Sequence, residues 1–528
     1  MIFVRDIRLD LNKTENDAVE QAVKQLGIKR GEIETAKVSR LSVDARRGTP
    51  QLVFTVAVRL KDISGEQAFA SRSPHIAVKS EKKLKLSVGS EELRLRPVVC
   101  GLGPAGLFCA LLLAQNGFKP IVLERGAAIP ERVKAVESFN KTGVLDINSN
   151  IQFGEGGAGT FSDGKLTTRI GDELCAHVTQ TLLRHGAPKE IAYLQKPHIG
   201  TDLLRDIIVS IRKEITSLGG EVLFNTALTD IKVNGGRLTG VVTTKGEIAC
   251  TTLVLAPGHS ARDIFEMLFK TGVECVPKPF SVGFRIEHLQ SDIDRALYHG
   301  AAGNPALPKG EYQLSAHIKD RCVYTFCMCP GGSVVAAASE NGGVVTNGMS
   351  NHARDGKNAN SAVAVSVGEK DFKSCAEAVE FQRKLEKAAF CAGGGGYKAP
   401  SQNTNLFLSS KAGLNIKSVE PTYPRGVVPY DIGKLFPEKL SETLRQGLLC
   451  FDKKIKGFAS VQSVITGIET RTSSPVRITR LGNGQSPSVS GLYPCGEGAG
   501  YAGGIVSAAV DGLHTALSII EKYNPSAL

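Results

Sequence analysis

An α/β fold built on a parallel sheet, with a mixed α+β domain inserted into it and a small α+β module ahead of it, is what the sequence predicts. Three observations lead there. From about Leu95 the chain reads strand, glycine turn, helix, strand (PVVC, GLGPAG, LFCALLLAQNG, KPIVLERG), the order of a parallel βαβ unit. Far along the chain, Tyr493-Pro494-Cys495-Gly496-Glu497-Gly498 followed by AGYAGGIVSAAVDGL is again a strand running through glycines into a helix. The first 95 residues have another texture, with strand-like runs around a single helical stretch. At 528 residues the chain has room for two or three domains of about 100 to 200 residues each. Its 42% hydrophobic and 22% charged content is that of a globular chain rather than a disordered or fibrous one.

Taken in order, Ile2 to Leu9 alternates apolar and charged residues as a strand does. Thr14 to Leu26 has helical periodicity, with Ala18, Ala22 and Val23 on one side. The runs Lys37 to Val43 and Gln51 to Leu60 flank the turn-like RRGTP, which predicts a hairpin. The basic stretch SEKKLKLSVGSEELR then leads from this module, residues 1–95, to the next domain. Residues 96–264 and 490–528 are expected to form the sheet domain. It includes a β-meander with an Asn234-Gly235 turn between two strands, and a strand ending in Ala256-Pro257-Gly258 that returns to the parallel sheet. Residues 265–489 mix strands, Gly-rich loops and one clear helical stretch, Cys375 to Ala389, and read as an inserted substrate domain.

The strongest motif is Gly101-Leu102-Gly103-Pro104-Ala105-Gly106, set after a buried strand and opening a helix. Gly101 permits the tight turn, Gly103 lets backbone approach a pyrophosphate, and Gly106 lets helix and strand pack closely. Glu124, 18 residues past Gly106 at the end of the second strand, can accept hydrogen bonds from ribose hydroxyls, and Arg125 follows it. Together these predict a Rossmann-type domain. The late segment favours FAD over NAD as resident cofactor. There Gly496 and Glu497 would meet the ribityl chain, and the helix start at Gly503, Gly504 and Ile505 would face the flavin, its dipole favouring the negative charge of the reduced ring. The loop Phe153 to Gly164 is too rich in glycine for a helix or central strand; Gly156, Gly157, Gly159 and Thr160 are assigned to the cofactor, as is Gly258. No second fingerprint is present, since CPGG and CAGGGGYK lack the strand-before, helix-after context. NAD(P)H, if it is a transient electron donor, has to dock without a Rossmann domain of its own.

Within the inserted domain, Cys327, Cys329, Asn347, His352, Arg354, Asn358 and Asn360 lie at the ends of apolar β runs and are candidates to line a cavity. Cys327, Cys329, Asn347, His352 and Arg354 are the catalytic candidates, although each taken singly is more often structural. A thiol beside a flavin can relay electrons or attack a substrate. The segment GIETRTSSPVR, with Glu469, Arg471 and Arg477, reads as an anion clamp for flavin phosphate or a carboxylate substrate.

With these pieces in hand, the chain resembles the FAD-dependent dehydrogenase family often labelled NAD(FAD)-utilising dehydrogenases. The resemblance runs through the basic N-terminal module, GLGPAGLFCALLLAQNG, FGEGGAGTFSDGKL, CMCPGGSVVAAASENGGVVTNGMS, GIETRTSSPVR and CGEGAGYAGGIVSAAVDG. It implies FAD binding and a two-domain flavoenzyme body, and names no substrate.

The expected function is therefore that of an FAD-dependent oxidoreductase passing a hydride between flavin N5 and a small molecule. Two other readings start from charge. The chain carries +12 with a pI of about 9.1, and residues 1–96 hold 19 Lys and Arg against 13 Asp and Glu. Such a module could serve an RNA-modifying flavoprotein or dock a protein partner; its few aromatics and the absence of a recognised RNA-binding signature rank the RNA reading lower. The longest apolar runs, such as Leu107 to Ala114, fall well short of the roughly 18 residues a membrane span needs, so no membrane is expected. The N-terminus lacks the pattern of a signal peptide, which points to the cytoplasm. Twelve cysteines without a disulfide rhythm or zinc spacing are expected to be thiols, with no metal.

Overall fold

The computed structural model describes residues 1–46, 48–70, 72–79 and 86–528. Arg47 of the hairpin turn and residues 80–85 of the basic stretch lie outside them. At the front, strands Ile33–Asp44, Gln51–Leu60, Ile2–Leu9 and Ile76–Val78 stand in that order in an antiparallel sheet. Asp44 pairs with Gln51, so the hairpin turns where the sequence places it. Helix Glu15–Leu26 buries Ala18, Ala22 and Leu26 against this sheet. It starts on a capping box between Thr14 and Asp17, and it stops at left-handed Gly27.

The next sheet is wholly parallel. Its order is Leu492–Pro494, Leu253–Leu255, Val98–Cys100, Ile121–Leu123, Glu221–Leu223. After Val98–Cys100 the chain builds outward on one side, and it returns later to build the other. The switch point where ligands bind in such sheets therefore lies beyond Cys100 and Leu255. Helix Pro104–Gln115 is buried along almost its whole length. A helix apolar all round needs neighbours on every side, and Ile505–Lys522 packs closely on it: a Cβ on Gly512 would stand 2.1 Å from the Ala105 carbonyl oxygen. The meander Leu228–Asn234, Arg237–Thr243, Gly246–Ala249 forms its own antiparallel sheet, turning at Asn234-Gly235-Gly236.

A further sheet has seven strands, in the order Ser315–Ile318, Arg321–Cys329, Asn358–Val367, Phe280–Leu289, Val464–Glu469, Ala399–Asn403, Val427–Pro429. Only the last pair is parallel. Asn358–Val367 and Phe280–Leu289 are buried nearly end to end, and helix Glu438–Lys454 lays Leu440, Leu444, Leu448 and Phe451 into the same core. Helix Cys375–Ala392 runs three residues past its expected end. The fold is the mixed α/β arrangement the sequence predicts. No helix among the described residues is long and apolar enough to cross a membrane.

Candidate functional site

The crevice beyond Cys100 and Leu255 is lined by glycines of two kinds. Gly101, at φ 98°, turns the chain where a Cβ would sit 2.2 Å from the Ala256 carbonyl oxygen, and a Cβ on Gly106 would sit 1.9 Å from that of Gly101. These two serve the fold. A Cβ on Gly103 would meet nothing closer than Gly157 Cα at 3.8 Å, and at Gly258, Gly503 and Gly504 it would meet nothing within 4 Å. Those positions face open space. Neighbour contacts hold their segments together: Gly159 against Ile505 and Pro104, Gly496 against Ala105, Gly498 against Gly258. Two helices start here without a side-chain cap, one at Gly103-Pro104 and one at Gly504-Ile505. Their free amides and positive dipole ends favour a bound anion.

Glu124 is buried at the rim. Its Oε1 accepts the amides of Gly126 (2.9 Å) and Gly154 (3.0 Å), and its Oε2 that of Leu102 (2.9 Å). The carboxylate therefore ties three loops together and keeps one acceptor position free at Oε2. Arg125 lies 4.3 Å over the Phe153 ring and donates to Asp263 at 2.6 Å. Glu497 lies 3.4 Å from His259 Nδ1, and the other ring nitrogen of His259, Nε2, is buried without a partner. An orphaned buried nitrogen, open glycine positions and two uncapped helix starts fit a dinucleotide such as FAD.

Two expected cofactor contacts turn inward instead. Thr160 is fully buried and donates to the Glu155 carbonyl at 3.0 Å, and a Cβ on Gly156 would strike Thr160 and Ile208. The reason is a buried knot beneath the loop. Arg132 donates to the carbonyls of Asn150, Ile151 and Glu155, while Glu155 accepts from Arg212 and from the Ile129 amide. Gly157 and Gly159 remain on the crevice side.

The seven polar candidates of the inserted domain divide. Cys327, Cys329, Asn347 and Asn360 gather around Arg285, a fully buried residue that the sequence reading missed. Its guanidinium forks onto Glu469 (2.5 and 3.0 Å) and donates to Asn347 Oδ1 (2.8 Å), Asn360 Oδ1 (3.0 Å) and the Cys327 carbonyl (2.7 Å). Arg354 lies beyond, forked onto Asp163 at 2.9 and 2.5 Å; Asp163 also holds Lys165 at 2.9 Å. His352 stands apart, stacked on His198, with Nδ1 3.0 Å from the Ile199 carbonyl and Nε2 3.2 Å from Glu190. A cavity of about 400 Å³ does open nearby, between Gly331, Ser350, Lys357 and Glu420, but of the seven only Asn358 lines it. The other six have polar partners within the protein, although Asn360 Nδ2 is left without one.

The expected anion clamp is also spent. Arg471 forks onto Glu386 (3.1 and 3.0 Å), which Arg262 grips from the opposite side (2.8 and 2.7 Å). Glu469 serves Arg285, and Arg477 lies over the Tyr501 ring. Buried charges need partners, and Arg471, Arg262 and Arg285 are the partners, whereas Arg477 is exposed. Burial would raise the Glu386 carboxyl, but Arg262 and Arg471 overrule it and hold it well below the usual carboxylate range. Asp511 was missed as well: it accepts the Gly496 amide at 2.7 Å and pairs with Arg480 at 2.6 Å. A lone acid in the otherwise apolar IVSAAVDGL was its signal. Arg285 inside FSVGFRIEHL gave the same kind of signal.

Residues 279–472 match the family of the FAD-dependent protein, C-terminal domain-like, and residues 1–59 match a domain of unknown function, DUF8436. Among solved structures, the chain is similar to glycine oxidase from Bacillus cereus ATCC 14579 at 12% identity, covering 82% of this chain and 99% of that one with a TM-score of 0.31. It is also similar to L-amino acid deaminase from Proteus vulgaris (12% identity, 83% and 96%, TM-score 0.33). Likenesses this low carry no weight for the chemistry. A protein of Clostridium beijerinckii (strain ATCC 51743 / NCIMB 8052), described as an uncharacterized protein, is 45% identical over 531 residues, 99% of each chain. The chain thus belongs to the same family as that clostridial protein, and its residues 279–472 match the FAD-dependent protein, C-terminal domain-like family.

Proposed function

We propose that this protein is an FAD-dependent oxidoreductase that moves a hydride between flavin N5 and a small molecule, as the resemblance to NAD(FAD)-utilising dehydrogenases implies. The observation that carries the reading is the meeting of two uncapped helix starts with the open positions Gly103, Gly258, Gly503 and Gly504 at the switch point of the sheet. When bound, FAD supplies two-electron chemistry at its N5. The chain's own part is to bind and orient. Amides after Gly103 take the pyrophosphate. The free acceptor position of Glu124 Oε2 takes a ribose hydroxyl, while the other three keep the loops in place. Glu497 beside His259 Nδ1 favours the proton on that nitrogen, which leaves Nε2 as an acceptor for a hydroxyl of the cofactor. The amides of the helix start at Gly504 and Ile505 lend a positive dipole end where the reduced ring is negative, while that of Gly503 is held by the Ser507 hydroxyl. The domain at 279–472 supplies the substrate side.

The test is the purified protein's flavin content and its anaerobic spectrum against NADH, NADPH and a panel of small metabolites. Stoichiometric FAD, bleached by at least one of them, is expected. Protein that binds no FAD after incubation with the free cofactor, or FAD whose spectrum no donor changes, overturns the reading.

A further inference from the structure

We propose that Cys327 and Cys329 are a thiol–disulfide redox pair, with Cys327 the attacking sulfur, Cys329 the resolving one, and a small-molecule disulfide the class of substrate. The inference goes beyond the flavin reading and does not depend on it.

The backbone carries the first part of the argument. In a regular strand, residues two apart share a face, but their side chains start about 6.5 to 7 Å apart, beyond the Cβ separation of about 3.5 to 4.5 Å that a disulfide needs. Here the strand is broken at that point. Its register against Asn358–Val367 slips between Phe326 and Cys329, and Cys327 takes the left-handed φ of 45°. The bulge folds the two residues toward each other: the Cys329 thiol donates to the Cys327 carbonyl oxygen at 3.4 Å. A left-handed bulge at a non-glycine residue is costly and is retained where it re-aims a side chain.

Charge carries the second. Around Cys327 stand Arg285, from the next strand but one in the sheet, and Lys165, whose Nζ also donates to the Met328 carbonyl. Two acids face the same place. Asp163 is offset by Lys165 and Arg354, and Glu469 by Arg285. The adjacent Cys329 thiol, with Arg285 and Lys165 acting against burial, holds the Cys327 thiol well below the ordinary range. The same proximity, with burial and the charge on Cys327, holds Cys329 above it. Every other cysteine with a displaced titration goes up, Cys100, Cys109, Cys250 and Cys495 by burial. Cys327 is also half-buried where Cys329 is buried, so it is the more accessible residue of the two. Asn360 adds a fully buried Nδ2 with no partner, a free donor beside the pair.

The reaction balances without the flavin. Cys327 thiolate attacks one sulfur of R–S–S–R, a mixed disulfide forms, and the first R–S⁻ leaves and takes a proton from water. Loss of the Cys327 charge lets Cys329 ionise. Its sulfur attacks Cys327 Sγ, expels the second R–S⁻, and leaves a Cys327–Cys329 disulfide. Two electrons pass from the dithiol to the substrate, and an external dithiol restores the pair by the reverse exchange.

The experiment uses the full-length protein with its native flavin content. Iodoacetamide alkylation at pH 6, read by peptide mass spectrometry, should modify Cys327 at least about ten times faster than the exposed Cys391, since the thiolate is the nucleophile. Hydroxyethyl disulfide should release two thiols per chain and leave a peptide with Cys327 and Cys329 joined. Cys329→Ser should release one thiol and trap the adduct on Cys327. Equal alkylation of Cys327 and Cys391 in the wild-type protein overturns the proposal, as does hydroxyethyl disulfide treatment that leaves both thiols free. Both wild-type readouts stand whether or not the variant folds, and neither depends on flavin reduction.

Discussion

Around the crevice the groups turned inward are glycines, backbone amides and two helix starts; around Arg285 they are charged side chains drawn from separate strands. The first region binds by leaving room, the second by filling it. The difference teaches where substitution should do harm. In the crevice the protein loses a ligand when space is filled, and in the cluster it loses stability when a charge is left alone. Arg285→Ala gives the largest expected effect, since it strands the buried Glu469 and three further acceptors and should cost about 3 to 5 kcal/mol, read by urea unfolding. A cost below about 1 kcal/mol would show that the cluster is wetter than it is drawn.

The sharpest contrast in pH behaviour lies at Glu386. Its folded carboxyl is held below the ordinary value, so its contribution is fully present above about pH 4.3, the unfolded Glu pKa, and is lost as pH falls from there toward the folded value. Thermal unfolding followed from pH 7 to 3 should therefore drop steeply at the acid end. In Arg471→Met, where one of the two guanidinium partners is gone, the folded value rises toward the unfolded one, so the drop should start at the same pH, be smaller and level off at higher pH.

Glu124→Ala tests the boundary between the two kinds of region, because this acid sits in the crevice yet acts as a charged tie. Freeing three amides should cost about 2 to 3 kcal/mol of stability, and it should also weaken FAD retention. Had the residue served the ligand alone, stability would not change. Gly103→Val should have the smallest effect on folding, under about 1 kcal/mol by urea titration, because its Cβ enters open space. Flavin content after gel filtration should nevertheless fall to near zero. Retention of stoichiometric FAD by folded Gly103→Val would remove the fingerprint from the site.

These expectations also mark what sequence could reveal. The glycine turn, Glu124, the meander and the N-terminal hairpin are written in contiguous stretches, where spacing alone encodes geometry. Arg285, Asp163, Lys165 and Glu469 come together only when three distant segments are stacked, and no local period records that. Arg471 and Glu469 misled for the same reason: beside each other in sequence they read as a clamp, yet in space they answer Glu386 and Arg285 separately. Thr160 misled because its loop is glycine-rich on both faces, and only the knot at Arg132 decides which face looks out.

The strand Leu492–Pro494 and the helix Ile505–Lys522 close the crevice, with Gly512 pressed onto Ala105. They are made hundreds of residues after Gly101. A nascent chain that has already exposed its fingerprint therefore has one wall of the site and no opposite wall, so cofactor capture has to wait for synthesis to pass Lys522. Loading is in this sense a check on completeness: a chain arrested before that helix carries the motif but has nothing to close it on.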